Sequence, residues 1–148
     1  MQLALHSRRK EVTKVLLDKG ANPNSANNHR QTALHRAICQ SLEVNVIEQL
    51  LEAGADVNVR DSEGRSALWY ACVEWSQQVI DLLLEKGADI ESIRERDRVG
   101  NTILHAIITS KAPKIDQAQF LIQHNIDLNA KDDKGRSALW YALVKPYR

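Results

Sequence analysis

The sequence predicts an all-α solenoid of stacked helix-turn-helix units, and three observations carry that prediction. An opening motif recurs as Thr32-Ala33-Leu34-His35, Ser66-Ala67-Leu68-Trp69, Thr102-Ile103-Leu104-His105 and Ser137-Ala138-Leu139-Trp140, at spacings of 34, 36 and 35 residues. A second ladder keeps step with it at Leu16 to Asn22, Leu50 to Asp56, Leu83 to Asp89 and Leu121 to Asp127. All six glycines fall at two positions of the unit that the ladders define. A period of this length marks an array whose units bury their apolar faces against one another.

Within a unit, the opening Thr or Ser suits a helix N-cap. Small or apolar residues then recur at i, i+3 and i+4, as in Leu34, Ala37 and Ile38 or Leu68, Ala71 and Cys72, one face of a short first helix. The second helix reads from Val12, Val15 and Leu16, from Val46, Ile47, Leu50 and Leu51, and from Val79, Ile80, Leu83 and Leu84, with charged residues opposite. Gly20, Gly54 and Gly87 follow this helix where a left-handed cap belongs, and Asn125 takes the fourth such place. Gly64, Gly100 and Gly135 sit two residues before the next Ser or Thr, in turns such as Asp61-Ser62-Glu63-Gly64 and Asp132-Asp133-Lys134-Gly135. Arg30 holds that place in the first turn, so that turn is expected to be irregular.

The 148 residues carry 20 Lys and Arg against 19 Asp and Glu, a formal net charge of +1, and the densest basic run, Arg94 to Arg98, alternates in sign. Neither a nucleic acid nor an anionic membrane is therefore an expected partner. No apolar run is long enough to span a bilayer, and no Asn-x-Ser/Thr site occurs. With two cysteines, Cys39 and Cys72, the chain reads as a cytoplasmic or nuclear protein. His35 and Cys39 have metal-compatible i, i+4 spacing, but no second pair completes four ligands, so no metal is expected. A phosphate-cradling glycine loop, a nucleophile elbow and a His-Glu-x-x-His run are all missing, so the reading is non-catalytic and without cofactors.

On these motifs the chain resembles an ankyrin-repeat protein. Thr32 to His35 and Thr102 to His105 match the Thr-Pro-Leu-His opening of that family, with Ala33 and Ile103 in place of proline, and Gly54 to Asn58 matches its Gly-Ala-Asp-Val-Asn stretch. The resemblance implies β-hairpin-like connecting turns projecting to one side. Counting units along the chain from Gly20 gives a single domain over 1–148, with complete repeats at 27–60, 61–96 and 97–131 between partial ones at 1–26 and 132–148; a segment of a longer array is expected, with a natural protein of minimal end units as the alternative. The function the resemblance implies is recognition of a protein or peptide by a monomer. The expected contacts are the hairpin tips, Asn28, His29, Gln31, Ser62, Glu63, Arg65, Arg98, Val99, Asn101, Asp133, Lys134 and Arg136, and the concave helical positions Arg36, Tyr70, Glu74, Ala106, Ser110 and Tyr141. The alternative is a segment that recruits substrate to a catalytic domain outside this chain. Asn58 resembles the turn asparagine that an oxygen-dependent hydroxylase modifies in some members of the family; a side chain that merely orders the turn is the competing reading.

Two departures from the repeat stand out. Asp89 to Thr102 spans 13 residues where the matching steps span 10, and the surplus at Glu91 to Arg96 is either a recognition loop or a neutral insertion. The units also alternate in pairs: Gly64 to Ala71 is identical to Gly135 to Ala142, 71 residues on. That alternation gathers Trp69, Tyr70, Trp140 and Tyr141 on two first helices, which a stacking distance of roughly 10 Å per helix would hold on the order of 20 Å apart. Tyr70 and Tyr141 are expected to face a partner across this notch. Trp69 and Trp140 either join them or wedge between units as core.

Overall fold

The computed structural model describes residues 2–110 and 114–144, with the backbone alone for residues 2–7 and 9. It is all-α. The helices are α1 (Gln2–Asp18), α2 (Ala33–Cys39), α3 (Val44–Glu52), α4 (Ala67–Glu74) and α5 (Gln77–Glu85), then a 3-10 helix (Ile90–Arg94), α6 (Ile103–Thr109), α7 (Ile115–Gln123) and α8 (Ala138–Val144). Among the described residues, β structure is limited to single bridges, Ala26 with Thr32, Arg60 with Ser66 and Lys131 with Ser137, which close the hairpin-like turns. The chain forms two compact units, residues 1–89 and 90–148.

In the first unit, first helices pack on first helices (α2 with α4) and second on second (α1 with α3, α3 with α5), while α2–α3 and α4–α5 form the helix pairs. Leu34, Ile47, Leu68, Ile80 and Leu83 are fully buried between them. The short helices, seven to nine residues from α2 to α5, are too brief to be stable alone. Their ends are therefore closed by side chains and turns. Ser66 Oγ accepts the Trp69 N–H at 3.2 Å at the start of α4. At the end of α3, Gly54 adopts φ 88° and the amides of Gly54 and Ala55 return to the carbonyls of Leu51 and Leu50. In the second unit α6 packs on α7 and α8 around Ile103, Ile107 and Leu121. Asn125, at φ 54°, ends α7 as the glycines end the other second helices.

Three features differ from the expectations. Arg30 itself adopts φ 57°, and its N–H bonds the Asn27 carbonyl at 2.8 Å as Gly64 bonds Asp61 at 3.1 Å, so the first turn is regular. Its side chain tolerates a left-handed backbone because it is exposed and the turn hydrogen bonds hold it there. In place of a helix pair before Gly20 there is one continuous helix, α1, because Ser7-Arg8-Arg9-Lys10 contains no residue that breaks a helix, whereas Ser41 and Trp75 turn left-handed between α2 and α3 and between α4 and α5. The surplus at Glu91 to Arg96 is in part a packed element: Ser92 and Ile93 of the 3-10 helix are buried while Glu91, Arg94, Glu95 and Arg96 are exposed, and Arg94 donates from Nε and Nη2 to the His124 carbonyl at 3.1 and 3.0 Å.

Candidate partner-binding surface and the network beneath it

The residue five places before each opening motif, Asn27, Asp61, Asp97 or Asp132, organises its hairpin. One side-chain oxygen accepts two backbone N–H groups in every case: His29 and Gln31, Glu63 and Arg65, Val99 and Asn101, and Lys134 and Arg136, all between 2.8 and 3.0 Å. Adjacent tips are tied as well. Ser62 N–H donates to the His29 carbonyl at 2.8 Å in the first unit, and Asp133 N–H to the Val99 carbonyl at 3.4 Å in the second. Asn28, His29, Arg98, Val99, Asp133 and Lys134 project exposed from these fixed backbones, with Ser62, Glu63, Gln31 and Asn101 half-buried beside them.

The paired alternation has a physical content at this place. In the Ser-Ala-Leu-Trp-Tyr units the second oxygen of the aspartate is also engaged. Asp61 Oδ2 accepts the Tyr70 hydroxyl at 2.6 Å and Arg65 Nε and Nη2 at 3.1 and 3.0 Å. Asp132 Oδ2 does the same with Tyr141 at 2.7 Å and with Arg136 Nε and Nη2 at 2.9 and 2.7 Å. Each guanidinium lies over the Trp and Tyr rings, at 5.3 and 5.1 Å for Arg65 and 5.3 and 4.7 Å for Arg136. In the Thr-x-Leu-His units no such tyrosine exists, and Gln31 or Asn101 replaces the arginine.

The expectation for Tyr70 needs correction. Its ring is buried and its hydroxyl is committed to Asp61, with Gln31 Nε2 donating to it at 3.4 Å, so it does not present a face to solvent. Tyr141 is half-buried in the same bond. Trp69 is buried while Trp140 is exposed. Of the other first-helix positions expected to meet a partner, Arg36 and Glu74 are exposed and Ala106 and Ser110 are half-buried.

The electrostatics follow from these bonds. Burial pushes the Asp61 carboxyl up, but the Tyr70 hydroxyl, the Arg65 N–H and the Arg65 guanidinium outweigh it and hold the group below the usual carboxylate range. Arg136 holds Asp132 well below that range too. Burial and the neighbouring carboxylate raise both tyrosines. His35 and His105 serve the alternate units. Each Nδ1 accepts its threonine's backbone N–H at 3.2 Å, so the proton sits on Nε2, and His105 Nε2 donates to the Arg136 carbonyl at 3.0 Å. His35 Nε2 is buried without a hydrogen bond of good geometry, although the Arg65 and Val59 carbonyls act on it, and burial lowers its pKa. Each imidazole meets the next tyrosine edge-on, His35 with Tyr70 at 5.9 Å and His105 with Tyr141 at 5.8 Å.

Cys39 and Cys72 form no disulfide, and burial pushes the Cys72 thiol up to about 12. Among the described residues no cluster of three or more His, Cys, Asp or Glu could hold a metal, and no helix is long and apolar enough to cross a membrane. Asn58 Nδ2 donates to the Gly87 carbonyl at 3.1 Å and its Oδ1 accepts the Asp89 N–H at 2.9 Å, binding one repeat to the next, as Asn24 does with Gly54 and Asp56.

Short helix pairs that pack like on like, joined by hydrogen-bonded hairpins, define a protein built from repeats. The model for ankyrin repeats in three copies matches residues 1–94, and that for a single ankyrin repeat matches 99–133, so the chain belongs to the ankyrin-repeat family. Ankyrin repeats are protein-interaction modules. The chain is 30% identical over 143 residues to the B-cell lymphoma 3 protein homolog of Mus musculus, covering 94% of this chain and 31% of that protein. It is 32% identical over 137 residues to the nuclear factor NF-kappa-B p105 subunit of Gallus gallus, covering 90% and 14%. With the E3 ubiquitin-protein ligase KEG of Arabidopsis thaliana it shares 34% over 118 residues, covering 79% and 7%. The chain thus spans less than a third of the length of these curated relatives.

Proposed function

We propose that this chain is a non-catalytic recognition module that binds a protein or peptide through its hairpin tips and the exposed flank of its first helices. The observation that carries the reading is the contrast between fixed backbone and free side chains at the tips. Asn27, Asp61, Asp97 and Asp132 hold the loops by paired hydrogen bonds, while His29, Arg98, Val99 and Lys134 stand in solvent. A loop ordered before binding loses little entropy when a partner arrives. Val99, more than half exposed on a tip, is the best apolar anchor, with Arg98 beside it. Tyr70 and Tyr141 act one step back, fixing Arg65 and Arg136. The proposed setting is the cytoplasm or nucleus.

The test begins with affinity capture and then compares variants against the recovered partner. Val99→Ala or Arg98→Ala is expected to weaken binding by about 1–3 kcal/mol without changing the melting temperature. Full-strength binding by every tip variant removes the tips from the site. A second reading, recruitment of substrate to an enzyme elsewhere in a longer chain, is favoured by the likeness to a protein named as an E3 ubiquitin-protein ligase. On that reading the captured protein is turned over only when the chain is linked to a catalytic domain.

A further inference from the structure

The two compact units differ in charge. Residues 90–148 carry ten Lys and Arg against seven Asp and Glu, whereas residues 1–89 carry ten against twelve. In the second unit, cations gather on the two hairpins, Arg96 to Asn101 and Lys131 to Arg136. The hairpins are neighbours, since the Arg96 guanidinium donates to the Lys131 carbonyl and Asp133 N–H to the Val99 carbonyl at 3.4 Å. Arg96, Arg98, Lys131 and Lys134 are all exposed. Arg96 and Arg98 stay in solvent with the next hairpin bonded beside theirs, so exposure belongs to these positions of the turn. The first unit has Asn28, His29, Ser62 and Glu63 at the places of Arg98, Val99, Asp133 and Lys134.

Along the chain the run from Arg94 to Arg98 alternates in sign, but the fold separates the signs. Asp97 turns into its own hairpin, where Oδ1 accepts the Val99 and Asn101 N–H groups at 3.0 and 2.8 Å and Oδ2 accepts Asn101 Nδ2 at 3.2 Å. Asp132 is buried and held by Arg136, and Arg94 is paired with Glu91. Arg98, Lys131 and Lys134, in contrast, make no ion pair among the described residues, and Arg96 donates to the carbonyls of Gly100 and Lys131. Of the exposed carboxylates nearby, Glu95 precedes the first hairpin, and Asp133 folds back over Gly100, where an added Cβ would meet its carboxylate. Four cations thus stand on two hydrogen-bonded hairpins, together with Val99, whose side chain is 54% exposed.

We propose that these hairpins take an acidic peptide, whose Asp and Glu side chains meet Arg98, Lys131 and Lys134 while an apolar side chain rests on Val99. The proposal rests on the reading of the tips as the binding surface and names the class of partner. Like charges held close repel one another, and a partner's carboxylates relieve that repulsion while steering the encounter. The patch covers two hairpins of a chain whose net charge is +1, a footprint for a peptide and not the long basic stripe that follows a nucleic-acid backbone.

Fluorescence anisotropy of the whole chain tests this with three labelled probes: a peptide of Asp and Glu around a central Leu, the same peptide with Asn and Gln in their place, and a single-stranded oligothymidylate. The acidic peptide is expected to bind most tightly and to weaken as salt rises. Arg98→Glu/Lys134→Glu is expected to weaken it by about tenfold or more, and Lys131→Glu by about twofold to fivefold. Asp133→Asn removes the one carboxylate between the cations and is expected to tighten it by about twofold to fivefold, while Lys86→Glu in the first unit leaves it unchanged. The substituted side chains are exposed, so the helical circular dichroism of the parent is expected to persist. Should a variant lose it, Gln at the same positions is read in the same way. Equal binding of the acidic and neutral peptides, tighter binding of the oligonucleotide, or full-strength binding by the charge variants overturns the proposal. If the acidic peptide does not bind while Val99→Ala still weakens a partner recovered by capture, the acidic class is lost and the tips remain the site; if Val99→Ala has no effect either, both readings are lost.

Discussion

Asp61 and Tyr70, nine residues apart, are joined by a 2.6 Å hydrogen bond inside the first unit, and Asp132 and Tyr141 repeat it at 2.7 Å in the second. The carboxylate bridges a hairpin and the helix that follows it. A Tyr70→Phe variant keeps the ring and removes the bond, leaving Asp61 buried with one donor fewer. It is expected to lower stability by about 1.5–3 kcal/mol in denaturant melts, the usual range for a hydrogen bond to a charged group. An unchanged midpoint would show that Arg65 and the Glu63 N–H satisfy the carboxylate without the tyrosine.

The same carboxylates set the acid limit of the fold. Their folded pKa lies below the unfolded value of about 3.9, so the stability they contribute is complete above that pH and is lost as pH falls through the folded value. Melting temperature is expected to drop steeply below about pH 4. Asp61→Asn should be less stable at neutral pH and show a shallower acid limb, and an acid limb as steep as the parent's would assign the slope to other groups.

His35 acts in a higher window with the same sign. Burial lowers its folded pKa, while the unfolded chain takes up a proton near pH 6.5. Stability from the neutral ring is therefore full above about 6.5 and declines as pH falls below it. The difference in melting temperature between parent and His35→Gln should shrink between pH 7 and 5, and a constant difference would contradict this.

Arg30 occupies a left-handed turn position that glycine fills at the other three. Arg30→Gly is expected to stabilise the protein by about 0.5–1 kcal/mol, read from the denaturation midpoint. The reverse change fails for two reasons at Gly100, where φ is 73° and an added Cβ would meet the Asp133 backbone nitrogen at 2.8 Å. Gly100→Ala should cost more than about 1 kcal/mol.

Asn58 uses both ends of its amide to hold the next turn, and Asn58→Ala is expected to cost about 1–2 kcal/mol through loss of those two bonds. Coexpression with an asparaginyl hydroxylase followed by intact-mass measurement tests its resemblance to a modified turn asparagine. A mass raised by one oxygen marks a substrate, and an unchanged mass leaves Asn58 as a structural link.

Much of this molecule was legible before any coordinate. The opening motif, the apolar stripes and the glycine positions follow from local backbone and helix geometry, and they place α2 through α8 and the turns that carry a glycine, because a period repeated four times averages out the ambiguity of any one segment. Surroundings were not legible. Tyr70 read as a partner-facing residue because Arg36 and Ala106 occupy the same position elsewhere, and only folding brings Asp61 to its hydroxyl. A signal was present in the shared Asp, Arg and Tyr of the two identical blocks, but its meaning lay in contacts across a turn. Ile93 read as part of a loop, and the structure buries it. Leu68 and Leu139 lie in identical stretches of sequence, one fully buried and one two-thirds exposed. Sequence decides that such a residue will lie on the apolar face of a helix; whether that face is covered depends on which other helix packs there, and that is decided by tertiary structure alone.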